Sequence, residues 1–502
     1  MSADGASSYI STGAEWTFDL IDQYDRAIGK IAKDEFRLDT YPNQIEIIAS
    51  EQMLDAYASV GLPIGYPHWS YGKEFIRNEE LYRKGARGLA YEIVINSNPC
   101  ISYLMEENTM AMQALVIAHA CYGHNSFFKG NYLFKQWTNA DSIIDYMVFA
   151  RRYVHECEER YGQVAVEETL DSCHALMSHG IDRYHQPQPL SAEEEQNRVR
   201  EREEYNWKRF DDIWRTVPQR RKGTHKAGEA PFPSEPQENL LYFVEKHAPK
   251  LEPWQRELVR ITRKMAQYFY PQGQTKVMNE GWATFWHYTL LNRLFDKGLV
   301  DAGFMLEALQ SHTNVITQRG FDQRGYGGMN PYALGFAMMT DIRRMCEQPT
   351  AEDREWFPDI AGGDWLKVLD FAMRNYKDES FIGQFLSPRL IREFHLFAIA
   401  DHETDDHLTV DSIHDEHGYR RLRRLFAGQY NRDWLVPDIQ VTRYDRRGDR
   451  SLTVQHRRHR NRPLAAEAED VLKHLARLWG FAVKLETCDE AGKAVGVREF
   501  RG

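Results

Sequence analysis

The decapeptide NEGWATFWHY at residues 279–288 sets a carboxylate, Glu280, and an imidazole, His287, seven residues apart. An α-helix advances about 100° per residue, so these side chains return to within about 20° of each other around the axis. Thr284 shares their side, one turn from each, whereas Trp282 and Trp286 occupy the opposite one. One face is ligand-capable and the other is large and aromatic. A helix of that kind packs on both sides, which turns the Glu–His face toward an interior or a cleft.

Two further imidazoles stand in MAMQALVIAHACYGHNSFFKGNYLF (110–134): His119 and His124, with Gly123 just before the second. Five residues along a regular helix separate side chains by about 140°. Both rings can face one way only if the helix stops or widens, and Gly123 permits either. Ring nitrogens from this segment, with a carboxylate and a nitrogen from 279–288, offer three or four N/O ligands: His119, His124, Glu280 and His287. Such a set suits Zn²⁺ or another first-row divalent ion. The same residues also make a satisfied polar network with no ion, because buried His and Glu commonly hydrogen-bond each other. Spacing alone leaves both readings open. His68, in YPHWSYGKEF, reads as a packed loop histidine. Glu106 and Glu107 precede the His119 helix, where the dipole favours negative charge, and Glu107 is a second candidate site carboxylate.

The elements that must position these groups are mostly helical. With 502 residues the chain exceeds one ordinary core, and two or three domains are expected. An aromatic content of 13% calls for large, filled cores and argues against disorder. Sixty-three basic against 74 acidic residues leave −11, which gives no support overall to a nucleic-acid surface, although local arginine clusters exist. The six cysteines form no C-x-x-C pair and read as reduced thiols of a cytoplasmic protein. No apolar run nears the ~20 residues that span a bilayer, and MSADGASSYISTGAEW lacks the features of a secretory signal. Membrane insertion is not expected.

Residues 1–13 are small and polar, a frayed end. From 14 to 384 the apolar spacing is helical, as in EWTFDLIDQYDRAIGKIAKDE and NADSIIDYMVFARRYVHECEERYG. The Pro- and aromatic-rich GLPIGYPHWSYGKEF (61–75) interrupts this pattern. EEEQNRVREREEYNWKRF (193–210) suits an exposed helix. Residues 216–237 form a Pro/Gly-rich surface excursion, and its QRRKGTHK run reads as solvated loop. Beyond 385 short alternating runs (HLTVDSIH, DIQVTRYD, SLTVQHR, AVKLET) bracket the amphipathic GYRRLRRLFAGQY and AAEAEDVLKHLARLWG. The order β-β-α-β-β-α-β predicts a small two-layer α+β domain over 385–502. The fold class expected is mainly α: a large helical domain, then that smaller one.

HACYGHNSFFKGNYLF, PSEPQENLLYF, LEPWQRE, VMNEGWATFWHYTLLN, NPYALGFAM, WFPDIAGGDWL, KDESFIGQFLSP and GDRSLTV together resemble the SpoVR family (stage V sporulation protein R), most closely its YcgB-type members from bacteria that form no spores. The likeness runs from about residue 15 to about 485. It implies a role near the spore cortex peptidoglycan or, in non-sporulating bacteria, in starvation and stress responses. It also implies company with a PrkA-type serine protein kinase and a von Willebrand-like partner. No reaction comes with it.

A more distant resemblance is mechanistically sharper. NEGWATFWH is similar to the E-G-W-A helix of gluzincin-type zinc peptidases, whose Glu is the third metal ligand. This implies a zincin-like helical domain in which His119, His124 and Glu280 hold zinc, with His287 a fourth ligand or a supporting partner. The sequence departs from that pattern at Ala120, where those peptidases place the glutamate that serves as general base. Glu107 or His287 would then have to move the proton. Two functions follow: a metal-dependent, hydrolase-like protein of cell-envelope or stress processes, or a non-catalytic interaction protein working with the kinase.

Overall fold

Helix starts in this chain are set by its Ser, Thr, Asp and Asn side chains. Thr17, Thr109, Asn239, Asp301, Asn330, Asp364 and Ser387 each accept a backbone N–H of the helix they precede, satisfying donors the helix leaves open. The chain is described from a computed structural model covering residues 9–53, 65–66, 68, 92–183, 232–233, 235–321, 323–324, 326–397, 399–400, 409–410, 415–431, 436–458, 463–489 and 491–502.

In chain order the elements begin with α1 (Phe18–Asp34), β1 (Asn43–Ile48), β2 (Glu92–Ile95), β3 (Cys100–Met105) and α2 (Met110–Ile117). A π-helical segment (Ala118–His124) leads into α3 (Asn125–Gly130), α4 (Tyr132–Trp137), α5 (Ile143–Tyr161) and α6 (Gln163–Ala175). Then come α7 (Leu240–His247), α8 (Pro253–Gln274), α9 (Lys276–Asp296), α10 (Ala302–Ile316), α11 (Pro331–Glu347) and α12 (Ala351–Trp356). They are followed by α13 (Trp365–Asn375), α14 (Asp378–Phe385), α15 (Pro388–Glu393), β4 (Ile399–Ala400), β5 (Thr409–Val410) and α16 (Glu416–Gln429). The chain closes with β6 (Asp438–Tyr444), β7 (Leu452–Arg457), α17 (Ala468–Trp479), β8 (Val483–Cys488) and β9 (Ala494–Phe500). Among the described residues no helix is long and apolar enough to cross a membrane.

Two compact units result, Met1–Leu170 with Lys264–Leu435 and Asp171–Arg263 with Val436–Gly502. The first is helical around α9, and both faces of that helix are buried. Trp282 and Trp286 join Tyr24, Ile28, Phe285, Leu334 and Met338 in one apolar cluster. Burying a ring of tryptophan size removes about 200 Å² from water, a gross gain of about 5 kcal/mol at ~25 cal/mol/Å². Ile10 and Ser11 are tied down: the Ile10 N–H donates to Leu299 O at 2.9 Å, and Ser11 Oγ lies 3.0 Å from Tyr24 Oη. That part of the expected frayed end is anchored.

The first unit also holds a three-stranded sheet, order β1-β3-β2, with β1 parallel and β2 antiparallel to β3. The helical spacing of the surrounding sequence hides it. The predicted boundary at 385 also falls inside this unit. Tyr419, Leu422 and Ala427 of α16 share the apolar cluster of Phe381, Ile382 and Phe385, so helix and short strands up to 410 stay with the helical unit.

The second unit is a four-stranded sheet, order β6-β7-β8-β9, with β7 and β8 parallel and the outer pairs antiparallel. Its core joins Val441, Val454 and Leu485 to Leu472 and Trp479 of α17 and to Leu241 and Val244 of α7. Of the predicted excursion at 216–237, the described residues 232–233 and 235–237 continue this sheet edge: Gln237 bridges Val441, and Phe232 O accepts the Tyr444 N–H at 2.7 Å. The predicted exposed helix at 193–210 and most of 61–75 lie outside the described residues.

Three glycines set the spacing around α9. A Cβ on Gly123 would lie 2.5 Å from Ala283 Cα, and Cβ atoms on Gly281 or Gly335 would each collide with the backbone of the other. Backbone cannot step aside as a flexible side chain can. Gly281→Ala should therefore cost about 1–3 kcal/mol or more and lower the thermal midpoint. Gly327→Ala, with open space around it, should leave the midpoint unchanged in the same melts.

Candidate metal centre

The stretch AHACYGH solves the five-residue spacing of its histidines by changing helix type. Residues 118–124 form a π-helix, whose N–H groups reach back five residues, as in the Asn125 N–H to Ala120 O bond. A side chain at i is then overlaid by i+5 and not by i+4. His119 and His124 consequently share a face, their ring centroids 4.7 Å apart and edge-on. Gly123 neither ends the helix nor bends it. It lets the segment press onto Ala283, the residue between Glu280 and His287 on α9.

Four acceptor atoms converge there. His119 Nε2 lies 3.1 Å from Glu92 Oε1 and 3.9 Å from Glu280 Oε2. His124 Nε2 lies 3.6 Å and 3.5 Å from the same two oxygens. Glu92, His119 and His124 bring one ligand-capable atom each within 4.8 Å of one another. Glu280 Oε2 is buried with no hydrogen-bond partner among the described residues. Glu92 was not anticipated from the sequence. It opens β2, where Ile93 and Ile95 take the more deeply buried face, so no local pattern in EIVIN marks the glutamate.

The other ring nitrogens are held from behind. His124 Nδ1 donates to Asn279 Oδ1 at 2.9 Å, which turns Nε2 toward the carboxylates, as a donor when the ring is charged and as a lone pair when it is neutral. His119 Nδ1 is 2.9 Å from His287 Nδ1, and His287 Nε2 is 2.8 Å from His312 Nδ1. His287 therefore spends both nitrogens on histidines and stands behind His119 and outside the four converging atoms. His312 escaped the sequence reading because SHTN in α10 looks like an ordinary polar face. Glu107 is elsewhere: its Oε1 accepts the Ser50 N–H at 3.2 Å, at the start of the helical turn that follows β1. Thr284, one turn after Glu280 on α9, is buried, and His68 is buried, as a packed histidine should be.

Burial depresses His119 and His287 well below the ordinary imidazole value, and neighbouring imidazoles add to the effect. Burial also lowers His312, to about 4. His124 goes the other way. Burial opposes its charge, but Glu92, Glu280 and Asn279 outweigh that and raise it to about 9. Glu92 is pushed up by burial, with His124 pulling it down and Glu280 pushing it further up. Without another cation, one proton on His124 is what separates the two carboxylates. Cys121, between the two histidines, is pushed well above the usual thiol value by burial and then by Asp25, so it keeps its proton.

The sequence matches the family described as SpoVR like protein over residues 15–434 and the SpoVR-like C-terminal domain over 437–490. The chain belongs to the SpoVR family. A relative from Escherichia coli (strain K12), "Uncharacterized protein YcgB", is 60% identical over 483 residues, covering 96% of this chain and 94% of the relative. No solved structure matches. The boundary between the two SpoVR matches falls where the second unit resumes at Val436.

His124 sets a pH dependence. Its folded-state value of about 9 exceeds the unfolded value of 6.5, so the stability it contributes is full below pH 6.5 and lost as pH rises through about 9. Protein stripped of divalent ions should thus lose on the order of a few kcal/mol across that window. Thermal melts from pH 6 to 10 should show a steeper fall for the parent than for His124→Gln. Parallel profiles would contradict the assignment.

Proposed function

We propose that this SpoVR protein is a metal-dependent, hydrolase-like protein. The supporting observation is the convergence of two imidazole lone pairs and two carboxylates, one of them with a buried, unpartnered oxygen, in a site that lacks a fixed cationic side chain among its described neighbours. The donor set of nitrogen and oxygen fits Zn²⁺ or another first-row divalent ion. Glu92, His119 and His124 are the ligands in this reading. A divalent ion there supplies Lewis acidity toward a carbonyl and a more acidic water.

The chain's own residues do the rest. Ala120 supplies no base, and Glu280 Oε2, 3.5 Å from His124 Nε2 and 3.9 Å from His119 Nε2, is placed to take the proton instead. Its ligand role by resemblance thus becomes a base role, with Glu92 taking its place among the ligands. His287 and His312 hold the His119 ring in orientation and fix which nitrogen faces the site. The resemblance to gluzincin-type peptidases favours an amide-type substrate, and family membership favours a setting in cell-envelope, sporulation or stress processes. The competing reading, a non-catalytic partner of a PrkA-type kinase, keeps the cluster as a structural ion site or polar network.

Elemental analysis of protein from its native host separates these readings. About one equivalent of a divalent metal is expected, lost in His119→Ala, His124→Ala and Glu92→Gln. Glu280→Gln should retain the metal and lose hydrolysis; loss of metal there as well would make Glu280 a fourth ligand. His287→Ala should weaken metal affinity about 10–100-fold while leaving the fold intact. A parent free of stoichiometric metal would remove the hydrolase reading.

A further inference from the structure

The most positive stretch of the chain lies apart from this cluster in sequence and in the second unit. Residues 443–462 hold eight arginines, two aspartates and no lysine or glutamate, a net of +6 in a chain of −11. Of these, 443–458 are described, and they form the end of β6, the turn and all of β7. In the β6–β7 register Arg443 faces Thr453 and Arg457 faces Asp438, while Val441 faces Val454. Paired residues share a face and successive ones alternate, and a bulge between Val441 and Arg443 shifts the register by one, so Arg443 and Arg457 both project from the side opposite the apolar core. Both are exposed.

The nearby acids are already engaged. Asp445 Oδ1 accepts the Arg447 and Gly448 N–H groups at 3.2 and 2.7 Å. Asp449 accepts the Ser451 N–H at 2.9 Å and the Lys484 ammonium at 2.9 Å. Among the described residues no carboxylate comes within ion-pair distance of Arg443, Arg446 or Arg457. Two guanidinium groups are held in advance: Arg446 stacks 3.3 Å over the Phe232 ring, and Arg450 sits 5.6 Å from the Phe481 centroid. Stacking occupies the face of a guanidinium and leaves its in-plane N–H donors open. The Arg458 Nε–H is buried with no partner. Arg457 Nε spends one long bond on Gln455 Oε1 at 3.4 Å, and its terminal N–H groups, like those of the stacked Arg446, remain able to grip planar anions in bidentate fashion.

We propose that the β6–β7 hairpin is a docking surface for an acidic segment of a partner protein, whose carboxylates are received by Arg443, Arg446 and Arg457. Carboxylates are favoured over a nucleic acid by two observations. No large ring between 436 and 458 is exposed for bases to stack on, and Tyr444 is turned edge-on to Trp479 at 4.8 Å. A long polyanion would also meet the negative balance of the remaining chain, whereas a short acidic peptide meets the hairpin alone.

The test is titration of the full chain with a fluorescein-labelled glutamate peptide of about twelve residues, beside a single-stranded oligonucleotide of matched charge. The peptide should bind the parent at low salt and weaken as salt rises. Combined Arg443→Gln, Arg446→Gln and Arg457→Gln should weaken it about tenfold or more with unchanged circular dichroism. The corresponding triple Lys variant, which keeps charge but not the fork, should fall between the two. The proposal is overturned by an absence of peptide binding, by equal binding to the parent and a folded Gln variant, or by tighter oligonucleotide binding that the same variant abolishes. The last result would make the hairpin a nucleic-acid surface.

Discussion

Two carboxylates and two imidazole lone pairs repel one another when drawn together away from water, and only a positive charge among them makes the arrangement stable. The neighbourhood of α9 is organised around that constraint. The π-helical segment brings His119 and His124 onto one face, β2 delivers Glu92, and α9 supplies Glu280. Contacts at Gly123, Gly281 and Gly335 let the backbones approach closely enough for all four to meet. A proton on His124 meets the need for charge; in the proposed metal-bound state a divalent cation would meet it instead, and the two would compete for the same space.

The histidines behind the cluster give this competition a direction. A lone pair on His119 Nε2 requires the proton on Nδ1, which then donates to His287 Nδ1; His287 in turn donates from Nε2 to His312 Nδ1. When His119 Nε2 donates to Glu92 instead, the same chain runs inward. Three neutral rings, each kept neutral by burial, thus share two opposite hydrogen-bond senses. The charge at the centre selects between them. Such a chain orients ligands without adding charge to an already crowded interior.

The legible part of this site was what spacing encodes. Glu280 and His287 sit two helical turns apart, and Gly123 marked the place where a regular helix could not serve both histidines. Glu92 was hidden because a single acid at the start of a short strand, far from any His or Cys, looks like a polar edge. Glu107 attracted a role through its proximity in sequence to His119, yet its carboxylate spends itself on the Ser50 backbone. At the level of fold, the helical bulk and the late alternating strands were readable from periodicity. Neither the β1-β3-β2 sheet nor the joining of 171–263 to 436–502 in one unit was, because pairing between distant segments leaves no local period. The α16 helix was assigned to the wrong neighbour for a similar reason: its amphipathic face says that it packs, not against what.

One residue inside the π-helical segment narrows which ions this pocket would select. Cys121 lies between the two histidines and holds its proton because burial denies it the thiolate form. A site that offers only nitrogen and oxygen donors disfavours soft ions. Under the proposed function, the occupant would then follow the supply of borderline and hard divalent ions such as manganese, iron or zinc.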